Sequence, residues 1–368
     1  MGGVHAEALK RLSGIEVVGI QGSTPEKSKQ AAERLDLAKA YDNWEALLAD
    51  KEVEAVHITT PNRLHFTQST SALKAGKHVM CEKPLAMTTE ESSELVRLAK
   101  ASDRVTGVNY NIRFYPTNLV AKEKARKGEL GKVHSVFGSY QQDWLLYETD
   151  YNWRVLAEEQ GALRSVADIG THWIDLVQNI TGQKVTSIFA NLRTLHPVRQ
   201  RPKGEVETFT GKLSGDAPTE PVNVTTDDFG CLLMRFDGGA CGTMFVTQVT
   251  PGRKNCLRYE IAGSKAAVEF NSEEPNQLWI GYREKANEIL LKDPALNGEL
   301  ARRFTNYPGG HAEGFLDTFK MCFRAFYDYI DSGDTGTPEF ATFEEGHQEI
   351  ALCEAVSESA KTQSWVDL

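Results

Sequence analysis

The sequence is poor in paired cysteines and in basic runs, and each shortage excludes a class of protein. Its six cysteines are scattered over 368 residues without a C-x-x-C pair, which argues against a disulfide framework and against a structural zinc site. Acidic residues outnumber basic ones by 51 to 41, and no basic run could neutralise a row of phosphates. We therefore expect a protein of a reducing cytoplasm that has no nucleic-acid partner.

The sequence also lacks long apolar segments. No apolar run approaches the length that spans a membrane, and the N-terminus has no basic segment followed by an apolar one, so neither export nor a membrane partner is predicted. With 40% apolar and 25% charged residues, the composition is typical of a folded protein, and the length fits two domains.

The order of apolar and polar segments predicts an α/β protein. The run IEVVGI (15–20) predicts a first strand, and as far as about residue 110 short apolar runs alternate with amphipathic helices. This alternation is typical of a Rossmann-type doubly wound parallel sheet, and we place that domain at 1–112. From 113 to 368, hairpin turns between strand-rich segments predict a C-terminal α/β domain with a large open, mostly antiparallel sheet. The last helix of this C-terminal domain is a candidate to pack back on the first domain. The polar stretch 199–228 predicts a long loop.

The first candidate site is the glycine pair at the start of the chain. In a doubly wound sheet the pyrophosphate of a dinucleotide lies on a glycine-rich turn at the first helix's N-terminus, where free N–H groups and the helix dipole favour an anion. Gly2 lies where the third glycine of G-x-G-x-x-G would fall, and Gly3 and Val4 follow it. The first two glycines and the strand before them are missing, so a helix that merely begins with glycine is the simpler interpretation of these residues alone.

The segment IQGSTPEK (20–27) bears on the choice of cofactor. About 20 residues past the third glycine, such folds usually carry an acidic residue that accepts hydrogen bonds from the adenosine ribose. Here Ser23, Thr24 and Lys27 stand near that position, and no acid occurs before Glu26. Hydroxyls, helix-start N–H groups and an ammonium can hold a 2′-phosphate, although Thr24 could also be a plain N-cap. The segment favours NADP over NAD.

Lys83 is a candidate for charge stabilisation. It follows the apolar run HVMC, at the carboxyl edge of the predicted sheet where ligands bind in open α/β folds. A lysine there could stabilise developing alkoxide charge during hydride transfer, or it could be an ordinary surface lysine.

The stretch SVADIGTHWIDL is a candidate for proton transfer. Asp168, His172 and Asp175 are spaced to share one face of a helix, where a carboxylate beside an imidazole can give a general base. A metal site is the rival interpretation, but two carboxylates and one histidine are a thin ligand set for zinc, and we expect no metal. A capped helix with one core histidine is the third interpretation.

Together these segments resemble the family of glucose–fructose oxidoreductase, inositol dehydrogenase and MocA-type proteins, the Gfo/Idh/MocA family. The resemblance covers nearly the whole chain and rests on the G-x-x-H-A-x-A-L start, TTPNRLH (59–65), AGKHVMCEKPLA (75–86), VNYNIRFYP (108–116), DIGTHWIDL (168–176) and the tail from TFEEGHQEI to SWVDL. The joint occurrence of the EKP and D-x-G-x-H-x-x-D patterns makes it specific. The family's opening strand and first two fingerprint glycines are missing, and we expect MGGVHAEAL to be the remainder of a longer, N-terminally truncated start.

The resemblance implies roles for individual residues. Lys83 matches the family's catalytic lysine, and Asp168 and His172 match its aspartate and histidine. The residues that match the loop along the cofactor and the nicotinamide end are Thr60, Pro61, Asn62, His65, Glu82 and Lys83. Planar donors and aromatic faces suit a hydroxylated ring, and on that ground the further candidates for the substrate pocket are Tyr110, Arg113, Trp153, Arg154 and His311.

The resemblance implies an NAD(P)-dependent oxidoreductase that transfers a hydride between the nicotinamide and a ring hydroxyl or ketone of a sugar, inositol or related polyol. In this hypothesis His172 accepts the proton, Asp168 orients His172, and Lys83 supplies electrostatic stabilisation. The rival from another class is a non-catalytic sensor that binds dinucleotide or sugar, and the joint presence of the three residues favours the enzyme. The likeness also implies a homodimer or homotetramer formed through the C-terminal sheet.

Overall fold

The computed structural model of the chain describes residues 1–203, 218–333 and 336–368. Within them the helices are α1 Gly2–Lys10, α2 Pro25–Arg34, α3 Trp44–Ala49, α4 His65–Lys74, α5 Thr89–Ala101, α6 Pro116–Arg126, α7 Ala157–Gln160, α8 Thr171–Thr181, α9 Gly298–Arg303, α10 Phe315–Asp331 and α11 Phe343–Thr362. The strands are β1 Gly19–Gln21, β2 Lys39–Tyr41, β3 Ala55–Ile58, β4 His78–Cys81, β5 Thr106–Val108, β6 Val133–Gln141, β7 Val185–Arg193, β8 Val198–Pro202, β9 Thr219–Asn223, β10 Phe229–Phe236, β11 Cys241–Thr247, β12 Cys256–Gly263, β13 Ala267–Asn271, β14 Gln277–Gly281, β15 Glu288–Leu291 and β16 Val366–Asp367. Among these helices none is both long and apolar enough to cross a membrane.

The chain divides into two compact units. The first comprises Met1–Phe114 together with Gly314–Ile350, and the second comprises Tyr115–Glu313 together with Ala351–Leu368. The prediction placed 113–368 in one domain, with the last helix as a candidate to pack back on the first; in the structure, α10 and the start of α11 fold with the first unit. Their apolar faces are visible in the sequence, but the sequence does not say which core they cover.

The first unit contains the predicted Rossmann pattern of parallel strands and helices. Strands β3, β4 and β5 form one parallel sheet, and β1 pairs with β2 in a second. The helices begin where local chemistry predicts, because the hydroxyl of Thr24 accepts the N–H of Lys27 and that of Thr88 accepts the N–H of Glu91.

One strand prediction is wrong in its extent. The run at 15–20 was expected to be a strand throughout, but pairing with β2 begins only at Gly19. The two strands approach so closely there that a Cβ on Gly19 would lie 2.5 Å from the carbonyl oxygen of Lys39. Strand length is set by the available ladder partner, which apolar content alone does not reveal.

Apolar side chains on both faces of the parallel sheet form the core of the first unit. Representative members are Val56, Ile58, Val79, Cys81 and Leu95. Helix α10 adds aromatic rings, and Phe323 packs against the imidazoles of His5 and His57 with ring centroids 4.7 and 4.6 Å apart.

The second unit is built on one nine-stranded sheet in the order β15-β14-β13-β12-β6-β11-β10-β7-β16. Neighbouring strands are antiparallel except β6 and β11, which run parallel. Helix α8 lies on one face, where the buried indole of Trp173 donates to the carbonyl of Arg258 over 2.7 Å. Side chains of β10 alternate, with Leu232 and Met234 buried and Leu233 exposed. The predicted large, mostly antiparallel sheet is thereby confirmed. The face that carries Leu233 is called the open sheet face.

The stretch 199–228 is not a loop throughout. Strands β8 and β9 pair as an antiparallel ribbon, while residues 204–217 lie outside the described residues. Arg199 turns inward, and its guanidinium donates to the carbonyls of Leu145, Tyr147 and Asp150. These partners lie far away in sequence, so the local abundance of polar residues misled the prediction.

Candidate functional site

The predicted pyrophosphate site lies at the start of α1, beside the carboxyl end of β3. A Cβ on Gly2 would lie 3.3 Å from the hydroxyl of Thr59, while a Cβ on Gly3 would meet nothing within 4 Å. The N–H of Val4 donates to the carbonyl of Met1 over 2.8 Å, so it closes the first helical turn instead of pointing beyond it. The helix start offers space and partial positive charge to an anion, but the amide of Val4 is not among its donors.

The loop after β3 adjoins the same end of the sheet. Thr60, Pro61 and Asn62 follow the strand, and the hydroxyl of Thr60 donates to Gln68 over 2.7 Å. His65 was expected to contact the cofactor. Its ring is wholly buried, with Nδ1 2.6 Å from the carbonyl oxygen of Pro84 and Nε2 2.9 Å from that of Thr60.

His65 therefore connects the loop after β3 to the segment after β4 and positions both. The predicted contact between His65 and the cofactor is corrected accordingly. Burial lowers its pKa, although the two carbonyl contacts oppose that effect. An inward-facing histidine of this kind has no signature that separates it from an exposed one in the sequence.

Glu82 and Lys83 follow β4 at the same edge. Lys83 is half-buried, while the Glu82 carboxylate points inward, where it accepts from His5 and Asn109 at 2.8 Å each. Glu82 was expected beside the nicotinamide; its carboxylate instead faces buried protein groups. Of this pair only Lys83 is exposed enough to meet a ligand directly.

The start of α2 holds the groups expected near the adenosine ribose. Ser23 and Lys27 are exposed, and Thr24 caps the helix. Glu26 is exposed at the same helix start, where a backbone amide and the Thr24 hydroxyl lower its pKa. No side chain fits at Gly22, because a Cβ there would lie 2.9 Å from the backbone nitrogen of Ser28. Hydroxyls, an ammonium and one carboxylate therefore surround this position.

In the second unit, Asp168 sits on a single π-helical turn, Val166–Gly170, that leads into α8. The turn is fixed by Asp227, whose carboxylate accepts the N–H groups of Arg164 and Val166 and the hydroxyl of Ser165. Burial raises the pKa of Asp227, and these donors oppose it. Turns of this kind are frequent at functional sites, and this one orients Asp168.

The structure brings several predicted substrate residues together around Asp168. Its Oδ1 lies 3.5 Å from Nε of Arg154, and the guanidinium of Arg154 stacks 4.4 Å above the ring of Trp153. Its Oδ2 accepts the amide of Gln248 at 2.8 Å. His172 lies in the first turn of α8, 8% exposed.

Gln248 was missed by sequence reasoning. It is a polar residue directly after β11, in FVTQV, and is wholly buried. A polar side chain that ends an apolar strand is a weak signal, and only its contact with Asp168, 80 residues away, gives it a role.

Three other substrate candidates lie in settings that differ from the prediction. Tyr110 is 1% exposed and belongs to the hydrophobic core of the first unit. Arg113 is 3% exposed, and its Nη2 donates to Glu345 at 2.8 Å, the residue that also closes the start of α11. His311 lies on an exposed loop, with Nδ1 3.3 Å from the carbonyl of Gly309. The first two are structural residues, which side-chain chemistry alone could not distinguish.

No group of three or more His, Cys, Asp or Glu side chains is placed to hold a metal ion within residues 1–203, 218–333 and 336–368.

Two family models match the chain. The first, described as an oxidoreductase family with an NAD-binding Rossmann fold, matches residues 1–110, and the second, the GFO/IDH/MocA C-terminal domain, matches residues 119–269. The chain belongs to the Gfo/Idh/MocA oxidoreductase family. Both halves of the predicted resemblance are thereby confirmed.

The relatives of this chain include sugar and inositol dehydrogenases. Levoglucosan dehydrogenase of Pseudarthrobacter phenanthrenivorans is 30% identical over 360 residues, which cover 95% of this chain and 88% of that protein. Myo-inositol 2-dehydrogenase of Thermotoga maritima is 24% identical over 372 residues, covering 100% of this chain and 96% of that protein. A solved structure of levoglucosan dehydrogenase in complex with NADH and levoglucosan matches with a TM-score of 0.87 at 28% identity, covering 100% of this chain and 97% of that one. The predicted class, a nicotinamide-dependent dehydrogenase acting on CH–OH groups, is confirmed.

Proposed function

We propose that this protein transfers a hydride between a nicotinamide cofactor and a ring hydroxyl, or the corresponding ketone, of a sugar, inositol or related polyol. The observation that carries the proposal is the setting of Asp168, a largely buried carboxylate held by Gln248 and Arg154 four residues before His172. Burying a charge is costly to the fold, and such groups concentrate at functional sites. The levoglucosan and myo-inositol dehydrogenases among the relatives support a ring polyol as the substrate class.

The residues divide the chemistry of alcohol oxidation between them. His172 takes the proton of the substrate hydroxyl as the carbon gives up its hydride, and Asp168 stabilises the imidazolium that forms. Lys83 stabilises the negative charge that develops on the substrate oxygen. The nicotinamide, when bound, supplies the hydride acceptor. Trp153 and Arg154 offer an aromatic face and a planar donor to a hydroxylated ring.

The start of α1 fits the pyrophosphate of a dinucleotide, because Gly2 leaves no side chain beside Thr59. The proposed preference for NADP over NAD rests on Ser23 and Lys27, which offer a hydroxyl and an ammonium where an acid usually selects NAD. Glu26 works against this preference through its negative charge, so the preference is a modest one.

A second copy of this chain is the proposed partner of the open sheet face. One row of residues across that face follows directly from the strand register and consists of Phe189, Leu233, Thr243, Phe137, Glu260, Glu269, Trp279 and Ile289. Leu233 is 42% exposed and Phe137 45%. The row mixes exposed apolar side chains with Thr243, Glu260 and Glu269, a mixture that protein–protein interfaces share, and a two-fold axis would set it against itself.

A panel of cyclic polyols and anhydrosugars, including levoglucosan and myo-inositol, tests the proposed activity. Each is offered with NAD and with NADP, and reduction of the nicotinamide is followed by its absorbance. Turnover of at least one ring polyol is the expected result. If the protein binds NADH but oxidises no polyol of the panel, the proposal is wrong and the non-catalytic sensor is favoured.

A further inference from the structure

Glu82, the residue before Lys83, is buried and uses both carboxylate oxygens. Its Oε1 accepts hydrogen bonds from Nε2 of His5 and Nδ2 of Asn109, each at 2.8 Å. Its Oε2 accepts the backbone N–H of Lys83 at 3.2 Å. The first helix, the end of β4 and the residue after β5 therefore meet at one carboxylate, which holds the backbone of Lys83 from the buried side.

A second histidine extends this set of contacts. Nδ1 of His57, on β3, lies 3.0 Å from Nδ1 of His5, so one of the two atoms carries the proton and the other accepts it. On the other side of the ring, Nε2 of His57 lies 3.1 Å from the hydroxyl of Tyr327 on α10. A continuous hydrogen-bonded chain therefore runs from Tyr327 through His57 and His5 to Glu82.

The charges along this chain are set by burial and by the contacts themselves. Burial raises the pKa of Glu82, but the hydrogen bond and charge of His5, together with Lys83 and Asn109, lower it to about 2. Burial lowers the pKa of His57 well below its ordinary value, and His5 adds to that effect. The titratable groups close enough to Glu82 for the charges to influence one another are His5 on α1, His57 on β3, His65 on α4, Cys81 on β4 and Lys83 beside it. At neutral pH Glu82 is therefore ionised and His57 is neutral.

We propose that His5 and His57 are positioning residues for the reaction: His57 fixes the ring of His5, His5 donates a hydrogen bond to the Glu82 carboxylate, and that carboxylate holds the backbone N–H of Lys83. The proposal rests on the proposed function, because the catalytic role of Lys83 belongs to it. Without His5, Glu82 stays buried with one neutral side-chain donor and takes up a proton at a higher pH. A protonated carboxyl is a weaker acceptor, so the hold on the Lys83 amide is lost.

Three variants separate positioning from mere stability. His5→Leu removes the donor to Glu82, and His5→Gln returns an amide donor near the place of Nε2. Lys77→Met is the matched control, because Lys77 is also buried in the first unit, where its ammonium donates to the carbonyls of Asp50 and Val53. All three changes remove buried polar contacts, but only the changes at His5 touch Glu82.

The first measurement is the backbone amide resonance of Lys83 in protein labelled with nitrogen-15 lysine, assigned by its absence from Lys83→Arg. In the wild type and in Lys77→Met it should stay fixed between about pH 8 and pH 5, the range in which an ordinary glutamate stays ionised. In His5→Leu it should move with pH, with a midpoint at least about one pH unit higher than in the wild type. His5→Gln should behave closer to the wild type.

The second measurement is the pH dependence of kcat. The acid limb of His5→Leu should move upward with the amide titration, His5→Gln should restore most of it, and Lys77→Met should lower the melting temperature without moving it. A Lys83 resonance that does not respond in His5→Leu would overturn the proposal, and so would an active His5→Leu enzyme with a wild-type acid limb. If the wild type oxidises no polyol, only the proposed function is contradicted. The positioning proposal is still tested, because the amide titration reports the effect of His5 on Lys83 without turnover.

Discussion

The side-chain amide of Gln248 donates a hydrogen bond to Asp168 over 2.8 Å, and both side chains are largely buried. Arg154 approaches the other carboxylate oxygen at 3.5 Å, so Asp168 is held by one neutral and one charged donor. The Oε1 atom of Gln248 has no hydrogen-bond partner among the described residues. Because the amide group of Gln248 is bonded to Asp168 inside the protein, it fixes the orientation of that carboxylate.

Replacing Gln248 by Leu should therefore lower kcat/KM by about tenfold or more, since a hydrogen bond to a charged group contributes about 1.5–3 kcal/mol. The measurement is steady-state kinetics on the best polyol of the panel. Gln277→Leu, on β14 of the same sheet, is the matched control and should keep wild-type kinetics. Equal kinetics in Gln248→Leu and Gln277→Leu would show that Gln248 has no part in the reaction.

Replacement of Lys83 or His172 by Ala should lower turnover by at least about a hundredfold, the usual cost of losing a charge-stabilising or proton-transfer group. Lys74→Ala, an exposed lysine at the end of α4, serves as the control for the loss of one positive charge. Circular dichroism and NADH titration should show a folded protein that still binds the cofactor. Near-normal turnover in either variant, with cofactor binding intact, would contradict the role assigned to that residue.

Cofactor preference should respond to a charge at Ser23. Since Gly22 admits no side chain, Ser23 is the exposed position where an acid can be added. Ser23→Asp should raise the ratio of the KM for NADP to that for NAD on the order of tenfold, about 1.4 kcal/mol, because a carboxylate repels the 2′-phosphate. Ser13→Asp adds the same charge at an exposed position in the turn after α1 and should leave the ratio unchanged. A wild type that binds NAD much more tightly than NADP would contradict the inference from this segment.

The stability of the second unit should depend strongly on Asp228. Its carboxylate is wholly buried and is bound by the guanidinium groups of Arg164 and Arg199, which are equally buried. Asp228→Asn leaves two buried cations without their counter-charge and should lower the free energy of unfolding by about 3–5 kcal/mol. Glu220→Gln, which breaks an exposed pair with Arg201, should cost about 1 kcal/mol or less. Urea denaturation of both variants measures the difference, and equal losses would contradict the assignment.

The same carboxylate should give stability a pH dependence. Burial raises the pKa of Asp228, but the charge of Arg164, the N–H of His196 and the charge of Arg199 lower it below its ordinary value. A carboxyl group with a lower pKa in the folded chain stabilises the fold above its unfolded pKa and loses that effect as the pH falls through the folded value. Below about pH 4 the melting temperature of the wild type should therefore fall more steeply than that of Asp228→Asn. Parallel curves would show that another group dominates acid unfolding.

The features that could be predicted from the sequence depend on contacts between residues close together in the chain. Those that could not be predicted depend on contacts between residues far apart in the chain. The caps at Thr24 and Thr88 depend on residues three positions away, so local pattern was enough. The pairs His5–His57 and Gln248–Asp168 are 52 and 80 residues apart, and no local sequence pattern predicts their contacts. The chemistry of Arg113 likewise suggested a ligand contact, because only the fold shows that its guanidinium is already engaged by the start of α11.

The proposed assembly through the open sheet face should be sensitive to one of its exposed apolar residues. Leu233, 42% exposed on β10, is flanked in the register by Phe189 and Thr243. A lysine there would be desolvated against the same face of a second copy, so Leu233→Lys should convert the proposed dimer or tetramer to the 40.9 kDa monomer. Leu296→Lys, at a residue 72% exposed on a loop, adds the same charge and should leave the assembly intact. Sedimentation velocity distinguishes these species, and a wild type that is monomeric at micromolar concentration would show that the face is not used by a second copy.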